Sequence, residues 1–371
     1  MKIGILTYHN ALNYGAALQA YALQQHITKK GHECDILDYS CHGVDAQYSY
    51  KKFSCLAAFP SDIKTNLNVF LHSKKRKNFE KFQKRLALSD SYNKSNIKEA
   101  DSKYDLFIVG SDQVWNYTNN NSDDTYFLSF TKDNAKKNSY AASFGISVLP
   151  QEQKELYENL KSFNKISVRE SAGADIVREV TGREVPVVCD PVFLRTKEEW
   201  SRLADDAARE KKGKKYILVY QLYYTQSLLD FADKLAEKTG LALKVVSISL
   251  KTEIHNRLHG IGCSNVSPDE FVSLISNAEY VVTNSFHGAA LSLIFNQRLF
   301  IELVEAKYNV NSRFKELIDL YDLSKVLINK DTDIGYIPDY REINRKIKEF
   351  AEKSDRYIDS MLEGETVIGQ I

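Results

Sequence analysis

The feature that most limits the fold is an alternation repeated along nearly the whole chain. A short apolar run rich in Val, Ile and Leu gives way to a polar turn, then to a stretch whose apolar residues fall three and four apart. The runs "KIGILTY" (2–8), "CDILDY" (34–39), "YDLFIVG" (104–110), "SYAASFG" (139–145) and "VPVVCDPVFL" (185–194) read as strands. "KISVRESAGADIVREVTG" (165–182) reads as a strand, a helix and a glycine stop. The pattern restarts after 195 with the strands "KYILVYQL" (215–222), "LKVVSIS" (243–249), "YVVTNSF" (280–286) and "RLFIEL" (298–303). Helical spacing covers 15–31, 227–240, 268–278, 312–323 and a long terminal stretch, 339–361. Near-continuous apolar strands belong to parallel sheets covered on both faces. The expectation is therefore an α/β protein of two Rossmann-like, doubly wound domains facing a cleft, 1–195 and 196–338, with 339–371 as a C-terminal helix crossing back to the first.

At 371 residues two domains are the natural division. Lys plus Arg (50) balances Asp plus Glu (49), which leaves no overall field for nucleic acid or anionic lipid, so any anion must be held locally. The basic run 74–85 keeps Phe79 and Phe82 on one side and reads as a solvated helix face. Five scattered cysteines form no C-x-x-C pair or disulfide framework. "MKIGILTYHN" reads as a strand rather than a signal peptide, and no apolar run approaches the ~20 residues of a membrane span. These features point to a reduced, cytoplasmic protein. P-loop, zinc-ligand, G-x-S-x-G, G-x-G-x-x-G and paired-carboxylate signatures are all missing.

Ligands of open parallel sheets bind beyond the carboxyl ends of strands. Four polar stretches have that address. In "HNALNYG" (9–15), Asn13 and Gly15 either let backbone N–H groups approach a ligand or form a plain turn and cap. In "VGSDQVWN" (109–116), Asp112 could accept a sugar hydroxyl proton and Trp115 could stack on a sugar face, the plainer alternative being a cap and a packed indole. In "SVRES" (167–171), Arg169 is either a fork for carboxylate or phosphate or one half of a surface ion pair. In "VVTNSFHGAALSLIFNQ" (281–297), a helix starting near His287–Gly288 offers unpaired N–H groups and a positive dipole end to an anion. His287 would stand beside that anion as a proton donor, Gly288 would leave room for it, and Asn284 or Ser285 would cap the helix. The plainer reading is a histidine that only closes a core strand. Lys307 and Arg313, after the next strand, could reach the same crevice.

"NYGAALQAYAL", "VGSDQVWN", "SVRES" and "TNSFHG", in this order and spacing over roughly residues 3 to 325, resemble the polysaccharide pyruvyl transferase family. The resemblance implies a GT-B-like pair of domains, the first on the acceptor side and the second on the phosphoenolpyruvate side. It implies transfer of pyruvate to two sugar hydroxyls as a cyclic ketal, in capsule or exopolysaccharide synthesis. No step of that transfer demands a metal or redox cofactor, so the resemblance leads us to expect none. His287 would match the family's histidine, in phosphate contact and acid catalysis, and Arg169 its donor-binding arginine, with Asp112 assigned as base. Partners would be phosphoenolpyruvate and a sugar or lipid-linked oligosaccharide, with possible peripheral association with membrane assembly enzymes and no nucleic acid. Two positions depart from better-characterised branches: Ser285 stands where they carry arginine, a loss that Arg313 or Lys307 could make good, and Ala16 where they carry aspartate. Two alternatives stay open, a nucleotide-sugar glycosyltransferase on the same architecture and a non-catalytic glycan- or phosphate-binding protein.

Overall fold

The computed structural model describes residues 1–45, 73–207, 214–247, 261–263, 265–304 and 312–363. It contains two parallel five-stranded sheets. The first is built from β1 (Lys2–Leu6), β2 (Glu33–Tyr39), β3 (Leu88–Tyr92), β4 (Leu106–Val109) and β5 (Lys137–Ser139), in the order β3-β2-β1-β4-β5. The second is built from β6 (Tyr216–Gln221), β7 (Ala242–Ser247), β8 (Ile261–Gly262), β9 (Tyr280–Thr283) and β10 (Arg298–Ile301), in the order β10-β9-β6-β7-β8. Both are Rossmann-like and doubly wound. Chain order reverses between β1 and β4 in the first sheet and between β6 and β9 in the second, and those two crevices are the natural ligand addresses.

Of the strands expected at 139–145, at the opening of 165–182 and at 185–194, the first survives only as Ser139 at the end of β5 and the other two form no regular strand. Beyond β5 the first sheet continues only as single bridges, Asn138 to Lys165, Ala142 to Val168 and Val168 to Val187. Serine hydroxyls are the reason. Ser139 Oγ accepts from Ser167 N (3.0 Å) and donates to Ser167 O (3.0 Å), while Ser167 Oγ accepts from Ala141 N (3.2 Å). Side chains thus take the place of a regular ladder. Conversely, the polar segment Leu88–Tyr92 is a strand because it pairs with the free edge of β2, a signal its own sequence lacks. The helix Lys197–Ala207, which buries Trp200 and Leu203, was likewise not marked by the run of strands and helices read from the sequence.

The two halves share apolar packing. Helix α1 (Tyr14–Lys29) follows β1, yet its Tyr14, Ala17, Leu18 and Ala22 lie in one core cluster with Phe271, Val272, Phe286 and Ala289 of the second half. The Tyr14 ring stacks on Phe271 at 4.4 Å, and its hydroxyl donates to Val266 O (3.2 Å). The terminal helix Tyr340–Leu362 ties both halves. Ile343 packs into that shared core, whereas Ile358, Met361 and Leu362, four turns on along the same apolar stripe, pack under the first sheet. Polar contacts fix its end there: Lys165 Nζ donates to Ser360 O (2.6 Å), Tyr357 Oη to Ser139 O (3.1 Å) and Cys189 N to Ser354 Oγ (2.9 Å). Among the described residues no helix is long and apolar enough to cross a membrane.

Candidate active site

The two switch crevices meet. β9 ends at Thr283, whose hydroxyl donates to Tyr220 O (2.7 Å) and accepts from Ser285 N (3.0 Å), so the chain turns sharply at the sheet edge. Ser285 then caps the helix Phe286–Phe295 by accepting from Gly288 N (3.4 Å). That start throws Phe286 and His287 across to the first half. A Cβ on Gly15, in the first turn of α1, would fall 2.0 Å from His287 Nδ1, so only glycine leaves space for the imidazole here. Phe286 lies over the Arg169 guanidinium at 5.0 Å from ring centroid to Cζ, a cation–π contact between the halves.

Beneath them lies a buried cluster of charged groups. Arg169 Nη1 donates to Asp190 Oδ2 (2.7 Å), Nη2 lies 3.4 Å from Asp112 Oδ1, and Nε lies 3.7 Å from Glu170 Oε2. His287 Nε2 lies 3.3 Å from the same Asp190 Oδ2, an ion pair when the imidazole is protonated; its geometry falls outside that of a hydrogen bond. Asp190 Oδ2 also receives Ser111 Oγ (3.4 Å), and Oδ1 receives Val192 N (3.1 Å). The Asp190 side chain is wholly buried. Burial raises its pKa, but His287 and Arg169 outweigh burial and hold it well below the usual carboxylate range. Burial lowers the Arg169 pKa, and Asp190, Asp112 and Glu170 reverse this into a net rise. Arg169 Nε, Glu170 Oε2 and His287 Nε2 are buried without hydrogen-bond partners. Arg169 Nε and Glu170 Oε2 face one another at 3.7 Å and His287 Nε2 faces Asp190 at 3.3 Å, so these atoms sit at ion-pair rather than hydrogen-bond geometry.

The formal charges matter. One guanidinium stands against three carboxylates (Asp112, Glu170, Asp190), and even a proton on His287 would leave a formal sum of −1. These five groups can orient a proton and fix a guanidinium, but they do not by themselves attract a dianion. Among the described residues no group of three His, Cys, Asp or Glu could hold a metal ion.

The structure thus brings Arg169, His287, Asp112 and Gly15 together, and gives the other candidates different work. Asn13 is the cap of α1, accepting from Gly15 N (2.9 Å) and Ala16 N (3.3 Å). Trp115 does not line the cleft as expected for a sugar platform. It is wholly buried, donates its indole N–H to Tyr126 O (3.0 Å) and packs on Phe127, Phe144 and Phe163, because the first half needs a large apolar filler there. Gly288 does not open room for a ligand. A Cβ there would meet Thr283 Oγ1 at 2.7 Å and Tyr220 Cδ1 at 2.8 Å, so it permits close packing of helix on sheet. Asn284 does not cap the helix. Its Oδ1 accepts from Leu222 N (2.8 Å) and Tyr223 N (3.3 Å), and its Nδ2 donates to Tyr223 O (2.8 Å). Lys307 lies outside the described residues, and Arg313 is described only as backbone in the helix Ser312–Tyr321. Sequence reading missed Asp190 and Phe286. The available signal was Asp190-Pro191 closing an apolar run, an acidic residue at a strand end like Asp112.

Comparison with known proteins gives two results. A family model described as polysaccharide pyruvyl transferase matches residues 13–300. No curated protein matches the chain in sequence. Among solved structures, the UDP-GlcNAc 2-epimerase of Methanocaldococcus jannaschii is 10% identical over 98% of this chain and all of that one, with a TM-score of 0.53. The same enzyme in complex with UDP-GlcNAc and UDP gives 11% identity, 98% and 100% coverage and a TM-score of 0.53. A Staphylococcus aureus protein solved with UDP gives 12% identity, 95% and 90% coverage and a TM-score of 0.50. At such identities these likenesses show a shared two-domain, GT-B-like fold and nothing more.

Proposed function

Because the chain belongs to the polysaccharide pyruvyl transferase family, we propose that it moves pyruvate from phosphoenolpyruvate onto two hydroxyls of one sugar. The sugar belongs to a surface or exopolysaccharide, or to its lipid-linked precursor, and the product is a cyclic ketal. A proton adds to the methylene carbon of the donor, leaving an oxocarbenium-like C2. One sugar hydroxyl attacks C2 and loses its proton. The C2–O bond to phosphate then breaks, phosphate leaves with the electron pair, and the second hydroxyl closes the ring as it too loses a proton. An acid beside the donor and a base beside the acceptor are each worth on the order of 10²–10⁴ in rate.

One observation carries the assignment of roles: Arg169 from the first half and His287 from the second converge on a single buried carboxylate where the two switch crevices meet. In this reading His287 supplies the proton, Asp112, which retains partial exposure, accepts from the hydroxyl, and Arg169 orients the donor carboxylate. The negative formal sum of the five groups means that the donor's phosphate needs further cations. We assign these to Arg313 and Lys307, with the N-terminus of the helix Phe286–Phe295.

The test is thermal melting of the full chain with ligands. Phosphoenolpyruvate at a hundredfold excess over Kd stabilises by about 2.7 kcal/mol, inorganic phosphate less, and uridine or guanosine diphosphate hardly at all. Arg313→Ala removes most of the phosphoenolpyruvate shift. Phosphate release from phosphoenolpyruvate that requires added glycan, and slows severely in His287→Asn, completes the case. Strong stabilisation by a nucleoside diphosphate with none by phosphoenolpyruvate would overturn it in favour of sugar transfer from a nucleotide.

A further inference from the structure

At the second sheet's switch crevice the chain leaving β6 makes a short turn, Leu222 to Thr225, held from three sides by buried side chains. From β9, Asn284 makes the three backbone contacts to Leu222 and Tyr223 given above. From the end of β6, Gln221 Nε2 donates to Thr225 O (2.7 Å) and Thr225 Oγ1 (3.3 Å). From the end of β10, Glu302 accepts from Asn284 Nδ2 (3.2 Å) and from the hydroxyls of Thr225 and Ser227. Asn284, Gln221 and Glu302 are all buried.

This turn displays the two exposed tyrosines found among the described residues, Tyr223 (40%) and Tyr224 (37%); Leu303, at the end of β10, is 39% exposed. A single exposed aromatic needs no explanation. Two adjacent ones on a turn fixed by three buried polar residues, beside the strand that leads to His287, are a different matter. Rigid tyrosines offer a large contact area at little cost in entropy. Asn284 and Gln221 are buried and spent on holding the turn; the polar groups that reach the surface beside the tyrosines are Gln226 and the hydroxyls of Thr225 and Ser227, which donate to Glu302 and keep lone pairs to accept from a ligand, and no cation lies in 221–227. A pyranose ring matches this surface: an apolar C–H face for the tyrosines and equatorial hydroxyls for the polar rim.

We propose that Tyr223 and Tyr224 form a preset platform on which a pyranose ring of the glycan substrate stacks. Calling that ring the acceptor rests on the function proposed above; binding of the ring does not. The platform lies on the second half, whereas the sequence led us to expect the acceptor on the first.

The experiment is saturation-transfer NMR on the full chain with a panel of methyl pyranosides (gluco, galacto, manno and their 2-acetamido forms) and with uridine. The expected result is saturation of the ring C–H protons of at least one pyranoside, with binding weakened roughly tenfold in Tyr223→Ala or Tyr224→Ala and kept within about twofold in the Phe variants, since stacking uses the ring. Melting of all four variants, with and without phosphoenolpyruvate, stays as in the wild type. Alanine variants that bind as well as the wild type, no pyranoside binding to the wild type, or uridine taking the site in preference would each overturn the platform. Pyranoside binding that depends on the tyrosines, in a protein that fails to release phosphate from phosphoenolpyruvate with glycan present, would uphold the platform and sink the proposed reaction instead.

Discussion

Replacing Asp190 by Asn tests the centre of the cluster. Asp190 is wholly buried, 2.7 Å from Arg169 and 3.3 Å from His287. Asn preserves the volume, but its Nδ2 donor must face either Arg169 Nη1 or Val192 N, so the change removes the charge and sets one donor against another. Arg169 then keeps only the longer contacts to Asp112 (3.4 Å) and Glu170 (3.7 Å). Breaking a buried pair costs about 3–5 kcal/mol. At about 2–4 °C per kcal/mol for a unit of 150–250 residues, Tm falls by about 6–20 °C. The pH dependence has a fixed sign. The Asp190 pKa is depressed in the folded state. Its contribution is therefore present above the unfolded value of about 3.9 and is lost as pH falls below that. Calorimetry of wild type and Asp190→Asn should show the full gap at pH 6 and a narrowing gap below about pH 4. A double-mutant cycle with His287→Asn should give a coupling of about 0.5–3 kcal/mol. A Tm within 1 °C of wild type at pH 6, or a gap that widens in acid, would refute the view that Asp190 is the shared counter-ion.

Two further outcomes follow from packing. Gly15→Ala drives a methyl into the His287 ring, so stability should fall by about 1–3 kcal/mol, and adding His287→Ala should restore part of it; equal melting of Gly15→Ala and wild type would mean the halves are not in contact there. Trp115→Ala opens a cavity in the first half's core and should cost about 3–5 kcal/mol in urea unfolding while leaving pyranoside affinity within about twofold; a selective loss of pyranoside binding would return Trp115 to the cleft.

The sequence alone determined the class of fold, because strand and helix periodicities are local: "YILVYQ" is apolar nearly throughout, as a strand covered on both faces must be, and it is buried along its whole length. It also marked "NYGA", "GSDQ" and "TNSFHG" as the polar turns that follow strands, and β1, β4 and β9 precede them. Within those loops it was silent on roles. Asn13 and Ser285 were legible as caps because a cap bonds its own next turn. Asn284, directly after a strand, looks equally like a cap, and only the arrival of Leu222 and Tyr223, more than sixty positions earlier, makes it a clamp. Trp115 is apolar and amphipathic in any context; whether it faces a cleft or a core depends on Phe144 and Phe163. The tertiary structure alone decided that Asp190 joins Arg169 to His287. A carboxylate's partners are fixed by distance in space, and the 97 positions from Asp190 to His287 are closed only when the second half packs its helix start against Gly15 of the first.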